Sequence, residues 1–492
     1  MSSTSPPTGV TIDPLTCRTS AFPELAPFID PSSATTLANL LAENHASHHS
    51  FFNQKGMHNH SLHQLIADTT LKATPAQLER HYAYQQKHYL SSFSYNDRSK
   101  YDPHLSDTSG SGKGGSSITK ISEGNWTAHL GDARYYWSYL HFFDRVVAQL
   151  GFREVLHRYV FSQEANEGEA KMIVRFYGGV IHALIHFGYG LEMVVKEVAA
   201  EGLAMAAATG ASHAWLFELD WLKKGASVRE EKKGLLELVR EVQMDDRLSV
   251  DRLGLKEEES SLPDKPFEEG SGRGVIQEYV DRWAAIADGK IDLETAMSDL
   301  ALLSALLLGA VPRQADGKAY KHDFFLMHLN NAHLFTSLYL DLFADSPQLQ
   351  RTFLRALLAQ FIYYYVCRGR PAFTTSNFIT EHEASADLAW EQLFADAREN
   401  VDEHLPKAVR ALYVFEQRYT GSQGKLLESG LLQGGGQDWA GGEASVWKLT
   451  AMQLVRMHRG ELQPSQYDSE AEREKGESIG SHQEFWSFEA FF

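Results

Sequence analysis

Apolar residues recur at a period close to 3.6 over most of this chain, while runs alternating apolar with polar, the mark of a half-buried strand, are nearly absent. Segments 228–246, 275–287, 293–311, 324–341 and 347–366 each put apolar residues on one side and charged residues on the other. Residues 169–209 continue the pattern with Val180, Leu184, Phe187, Leu191 and Val194, ending in an alanine-rich stretch at Ala208. Nearer the N-terminus, Ser33 is positioned to cap a helix over the following residues, and Leu62, Leu65 and Ile66 share a face over 59–70. Pro75 opens a further helix. No internal repeat of fixed period stands out. The expected fold is therefore all-α, a large compact multi-helix domain with a metal or substrate pocket between central helices. Residues 1–32 read as a flexible arm and 33–492 as one helical domain, with loops near 106–117, 253–274 and 421–442. The last residues, Phe485-Trp486-Ser487-Phe488-Glu489-Ala490-Phe491-Phe492, are aromatic enough to be expected in a groove rather than in solvent.

Charge narrows the partners. Lys and Arg number 46 against 64 Asp and Glu, a net charge of −18, which argues against a phosphate-tracking nucleic-acid surface and an anionic-membrane patch. The longest nearly uninterrupted apolar run, Leu300 to Val311, stops at Pro312 and is too short to span a bilayer. Two cysteines, Cys17 and Cys367, form no disulfide framework, and the first residues lack the pattern of a secretory signal, so a cytoplasmic protein is expected. Gly112-Lys113-Gly114 lacks the Ser or Thr and the preceding strand of a phosphate loop. The glycines at 270–274 and 434–436 miss the dinucleotide spacing.

The 22 histidines are about twice the usual share, and they cluster. His45, His48, His49, His58, His60 and His63 form the densest group, with His60 and His63 three positions apart on one helical face. His182 and His186 are four apart on an otherwise apolar helix, a spacing at which both imidazoles can reach one ion. Two such imidazoles are costly there without a partner. His328 sits on a third apolar helix, after Asp323-Phe324-Phe325-Leu326-Met327. Ala183 stands where a zinc protease would carry Glu, and no repeated Glu-x-x-His suggests a di-iron site. Histidine-dominated spacing leaves iron, copper and zinc open, with Asp323 and Glu192 as further ligands or as groups orienting the imidazoles. Tyr135 to Phe143 and Phe361 to Tyr365 offer rings for an aromatic pocket or for plain core packing, and Tyr189 is the candidate for substrate contact.

At these residues the chain resembles the questin oxidase-like family of fungal and bacterial oxidoreductases. Asn59-His60-Ser61-Leu62-His63 through Pro75 is similar to one family block, and Ile181-His182-Ala183-Leu184-Ile185-His186-Phe187-Gly188-Tyr189-Gly190-Leu191-Glu192 to a second. Asp323 to His328 and Arg368-Gly369-Arg370-Pro371 match two more. The resemblance implies oxidation of polycyclic aromatic polyketides such as anthraquinones with dioxygen, by Baeyer–Villiger-type insertion or ring cleavage, in secondary metabolism. It also implies NADPH as reductant and non-haem iron held by His60 or His63 with His182, His186 and His328. Some members add a carbamate-bearing lysine before the Arg-Gly-x-Pro block, but residues 353–360 contain none. A zinc-dependent hydrolase and a non-catalytic carrier of aromatic ligands are the alternative readings.

Overall fold

The computed structural model describes residues 10–105, 118–224, 231–256, 262–268, 270, 272–286, 291–311, 321–375, 378, 389–433, 445–459 and 486–487. The expected loop at 106–117 and the tail beyond 487 lie outside the described residues. The chain divides into two compact units: Met1–Ala214 with Asp341–Phe343, and Trp215–Leu340 with Ala344–Phe492.

The first unit is helical. Its main elements are α1 (Ala34–Ser47), α2 (Ser61–Thr70), α3 (Pro75–Gln85), α4 (Tyr136–Leu156), α5 (Met172–Met193) and α6 (Lys196–Ala208). Thr74 caps α3 in a reciprocal box with Gln77, and Pro75 fills its first turn. Ser33 precedes α1 without capping it, because its hydroxyl donates instead to the carbonyl of Ala73 at 2.6 Å. Residues 10–32, the described part of the expected arm, fold into short 3-10 turns with Cys17, Phe22 and Leu25 fully buried. Ser20 Oγ and the Ala21 amide fasten this segment to the carboxylate and carbonyl of Glu192 on α5.

The continuous helix expected over 169–209 is broken twice. Gly179, Val180 and Ile181 take left-handed φ of 54°, 56° and 63°, splitting α5 just before His182. A β-branched residue in that region costs about 1–3 kcal/mol, so packing around it must over-determine the conformation. Val194, at φ 55°, ends α5. Helices α5 and α6 then pack closely because glycines sit where side chains would collide. A Cβ on Gly190 would come within 2.7 Å of the Ala199 amide nitrogen, and one on Gly202 within 2.8 Å of that of Phe187. Almost all of α6 is buried, which suits its run of alanines.

In the second unit, α7 (Leu293–Gly309), α8 (Phe324–Leu334), α10 (His404–Tyr419) and α11 (Val446–His458) pack around one another in that cyclic order, and α7 also touches α10. Helix α9 (Pro347–Cys367) packs on α8. Strand β1 (His322–Asp323) pairs in parallel with β2 (Trp486–Ser487), opposing His322 to Trp486. The aromatic end is thus docked at Trp486, 1% exposed, whose indole nitrogen donates to Asp402 at 2.8 Å. Among the described residues no helix is long and apolar enough to cross a membrane, and Cys17 and Cys367 are both buried and in no disulfide.

Candidate functional site

The break in α5 sets the site. It leaves the Gly179 carbonyl to accept from Nδ1 of His182 at 2.5 Å, which fixes that imidazole's proton on Nδ1 and turns its Nε2 lone pair outward. Facing it at 2.6 Å is Nε2 of His60, the residue that leads into α2. Two imidazole nitrogens this close need a proton or a cation between them. His58 stacks on His182, with ring centres 3.9 Å apart and planes 6° from parallel. Its Nε2 is buried without a hydrogen-bond partner among the described residues. Burial pushes the His58 imidazole down to about 3, so it stays neutral. Gly179 is what admits this ring, since a Cβ there would lie 2.9 Å from two of its atoms.

A second pair lies along the same helices. His63 Nε2 is 3.1 Å from His186 Nδ1, and Tyr189 stacks on His63 at 4.9 Å. His186 Nε2 is 2.9 Å from Glu201 Oε2, and Glu201 Oε1 is 2.7 Å from His45 Nδ1. Both ring nitrogens of His186 are therefore engaged. The structure brings His60, His63, His182, His186 and Tyr189 together in the first unit, but divides the histidines between a face-to-face pair and a pair tied to a buried carboxylate. Tyr189 is fully buried.

Burial alone would lower the His45 imidazole, yet the carboxylates of Asp144 and Glu201 raise it to about 10. Burial likewise opposes ionisation of Glu201, but hydrogen bonds from His186 and His45 bring its carboxyl below the ordinary value. His45 is thus a buried cation beside a buried anion at neutral pH, whereas His48 and His49 are pushed down by burial to about 4 and about 3.

His328 belongs to the second unit. Its Nδ1 lies 2.7 Å from the Phe324 carbonyl, which leaves Nε2 as the acceptor nitrogen, and its ring centre is 5.5 Å from that of His404. Asp402 accepts from the His404 amide at 2.7 Å and from its Nδ1 at 3.1 Å, so the tautomer of His404 is also set. Burial would raise the Asp402 carboxyl, but His404 and His458 hold it well below the ordinary range. Lys407, one turn along α10 from Glu403, is buried and pushed down to about 8.

The other sequence candidates have structural duties. Asp323 caps α8 through the Leu326 amide and pairs with Arg368 Nε at 2.6 Å, while Glu192 accepts from Ser20. The rings from Tyr135 to Phe143 are mostly core: Trp137 donates to the Tyr95 carbonyl and Tyr139 to that of Trp126. Sequence reasoning missed Glu201, Asp144 and Asp402. Each had a signal, a carboxylate on or beside an apolar helix that needs a partner when buried.

Residues 57–412 match the model of the questin oxidase-like family. The chain is 29% identical over 405 residues to the Baeyer–Villiger oxidase AgnL3 of Paecilomyces divaricatus, covering 78% of this chain and 79% of that one. It is 26% identical over 411 residues to the Baeyer–Villiger monooxygenase dmxR6 of a Cryptosporiopsis species, covering 79% and 82%. To a questin oxidase of Aspergillus terreus it is 25% identical over 397 residues, covering 78% and 80%. Because the family match takes in more than two thirds of the chain, including both histidine pairs, this protein belongs to the questin oxidase-like family.

Proposed function

We propose that this chain is a Baeyer–Villiger-type oxidoreductase of secondary metabolism that inserts one oxygen atom of dioxygen beside a carbonyl of a polycyclic aromatic polyketide of the anthraquinone class. Balance requires that the second oxygen atom leave as water, with a hydride from NADPH and one proton from solvent supplying the two electrons and two protons it needs. The observation that carries the reading is the buried histidine cluster lying within the family-matched residues. The three relatives are all named for oxidations, which favours this reading over a zinc hydrolase or a carrier. A cytoplasmic location is part of the proposal, in keeping with two cysteines that form no disulfide.

The donor set suits a transition metal. His182 has its tautomer fixed through Nδ1, its Nε2 meets that of His60 at 2.6 Å, and neighbouring His58 is neutral with a buried nitrogen unsatisfied. His60 and His182 are the residues we assign to non-haem iron, whose bound form would supply activation of dioxygen. Tyr189 and His63 give a flat stacked pair against which a planar polyketide ring can be oriented. The apolar helix surfaces around them exclude water from the reacting carbonyl.

The test is conversion of a panel of hydroxyanthraquinones, questin included, by iron-loaded protein with NADPH in air, followed by mass spectrometry. A product heavier by one oxygen, with one NADPH oxidised per product, is expected. No conversion across the panel, or a hydrolysis product independent of NADPH, would overturn the proposal. Elemental analysis completes it: iron should be near stoichiometric in the wild type and lost in His182→Ala, whereas zinc would favour the hydrolase.

A further inference from the structure

We propose that Asp144, His45, Glu201 and His186 form a proton relay that joins the buried histidine cluster to solvent, with Glu201 as its internal acceptor. The four side chains come from α4, α1, α6 and α5, and they connect end to end. Asp144 Oδ2 is 3.2 Å from His45 Nε2, His45 Nδ1 is 2.7 Å from Glu201 Oε1, and Glu201 Oε2 is 2.9 Å from His186 Nε2. The line continues to His63, 3.1 Å from His186 Nδ1. The His45, Glu201 and His186 side chains are 2–3% exposed, and only Asp144, at 32%, meets water. A structural ion pair needs one imidazole on one carboxylate. Here both oxygens of a buried carboxylate and both nitrogens of two imidazoles are used in series.

The charge state makes transfer cheap. With His45 cationic and Glu201 anionic, a proton arriving on His63 displaces the His63 Nε2 proton to His186 Nδ1, and His186 passes its Nε2 proton to Glu201 Oε2. His45 then releases its Nε2 proton to Asp144 and solvent. One proton enters and one leaves. The buried pair goes from cation plus anion to two neutral groups, so no net charge is left inside at either end. The reverse sequence returns the proton. The other titratable groups facing Glu201 are Tyr136 on α4 and Tyr82 on α3, and burial raises both phenols, so neither competes as an acid near neutral pH.

Two measurements test the relay, and only the second rests on the oxidative reading. The first follows exchange of the His186 ring Nε2 proton with solvent by 15N-resolved NMR on histidine-labelled protein. Asp144→Asn, at a partly exposed position, should slow that exchange by about tenfold or more while the α5 backbone amides are unchanged. Ring exchange that tracks those amides and is indifferent to Asp144→Asn would overturn the relay. The second measures turnover of His45→Ala, expected to fall about a hundredfold. Imidazole should restore it and 1-methylimidazole, which cannot donate and accept at both nitrogens, should not. Equal rescue by both would make His45 a space filler and refute the proposal. If the wild type oxidises no polyketide, the functional reading fails while the exchange measurement still decides the relay.

Discussion

Glu201→Gln keeps the shape of the side chain and removes its charge from between His45 and His186. The His45 imidazole is moved from 6.5 to about 10 with Asp144 and Glu201 as the raising partners, an effect worth on the order of 5 kcal/mol at about 1.4 kcal/mol per tenfold. Asp144 survives the substitution, so only part of this is lost through His45. The remainder comes from the buried bond to His186, and removing one partner of a buried ion pair costs about 3–5 kcal/mol. The sign with pH follows from the same groups. A raised imidazole contributes fully below its unfolded value of 6.5 and loses the contribution as pH climbs through about 10. A lowered carboxylate contributes above its unfolded value of 4.5 and fails in acid. The wild type should therefore exceed Glu201→Gln by about 3–5 kcal/mol near pH 6, with the gap narrowing toward pH 10. Urea unfolding of both proteins at pH 6, 8 and 10 reads this directly. A gap below about 1 kcal/mol at pH 6, or one that widens with pH, would refute the charge assignment to His45 and Glu201.

Other perturbations separate the parts of the account. Gly202→Ala forces a methyl against the Phe187 backbone and should cost about 1–3 kcal/mol by parting α5 from α6, measured as a lowered melting temperature. Gly179→Ala adds a left-handed alanine, about 1–2 kcal/mol, to a collision with His58, so it should lose both stability and bound iron, checked by calorimetry and elemental analysis. Trp486→Ala empties a buried site and removes one of the donors to Asp402, and should destabilise by about 3–5 kcal/mol in thermal unfolding.

Much of the fold was legible because helical periodicity survives wherever one face is buried: the segments at 293–311 and 347–366 correspond closely to single helices, and 324–341 to two, Phe324–Leu334 and Thr336–Leu342. The break at Gly179–Ile181 was not legible, since valine and isoleucine carry no sign of a left-handed backbone and tertiary packing imposes it. The packing of residues 10–32 was not legible for a related reason: few apolar residues, Cys17, Phe22 and Leu25 among them, suffice to bury a segment that shows no period. His182 and His186 were found from their spacing, but their division of labour was not. It depends on Glu201, brought to His186 by the glycine crossing of α5 and α6, and on a helix start that points His60 at His182. Composition shows that histidines cluster, while only the fold shows which nitrogen faces which.

The central claim is that the cluster directs dioxygen onto an aromatic polyketide. Turnover under 18O2 in ordinary water, with mass spectrometry of the product, tests it most directly in the wild type and His182→Ala. The account predicts one 18O atom in the wild-type product and none formed by the variant. Product oxygen drawn from water, or an unimpaired variant, would contradict it.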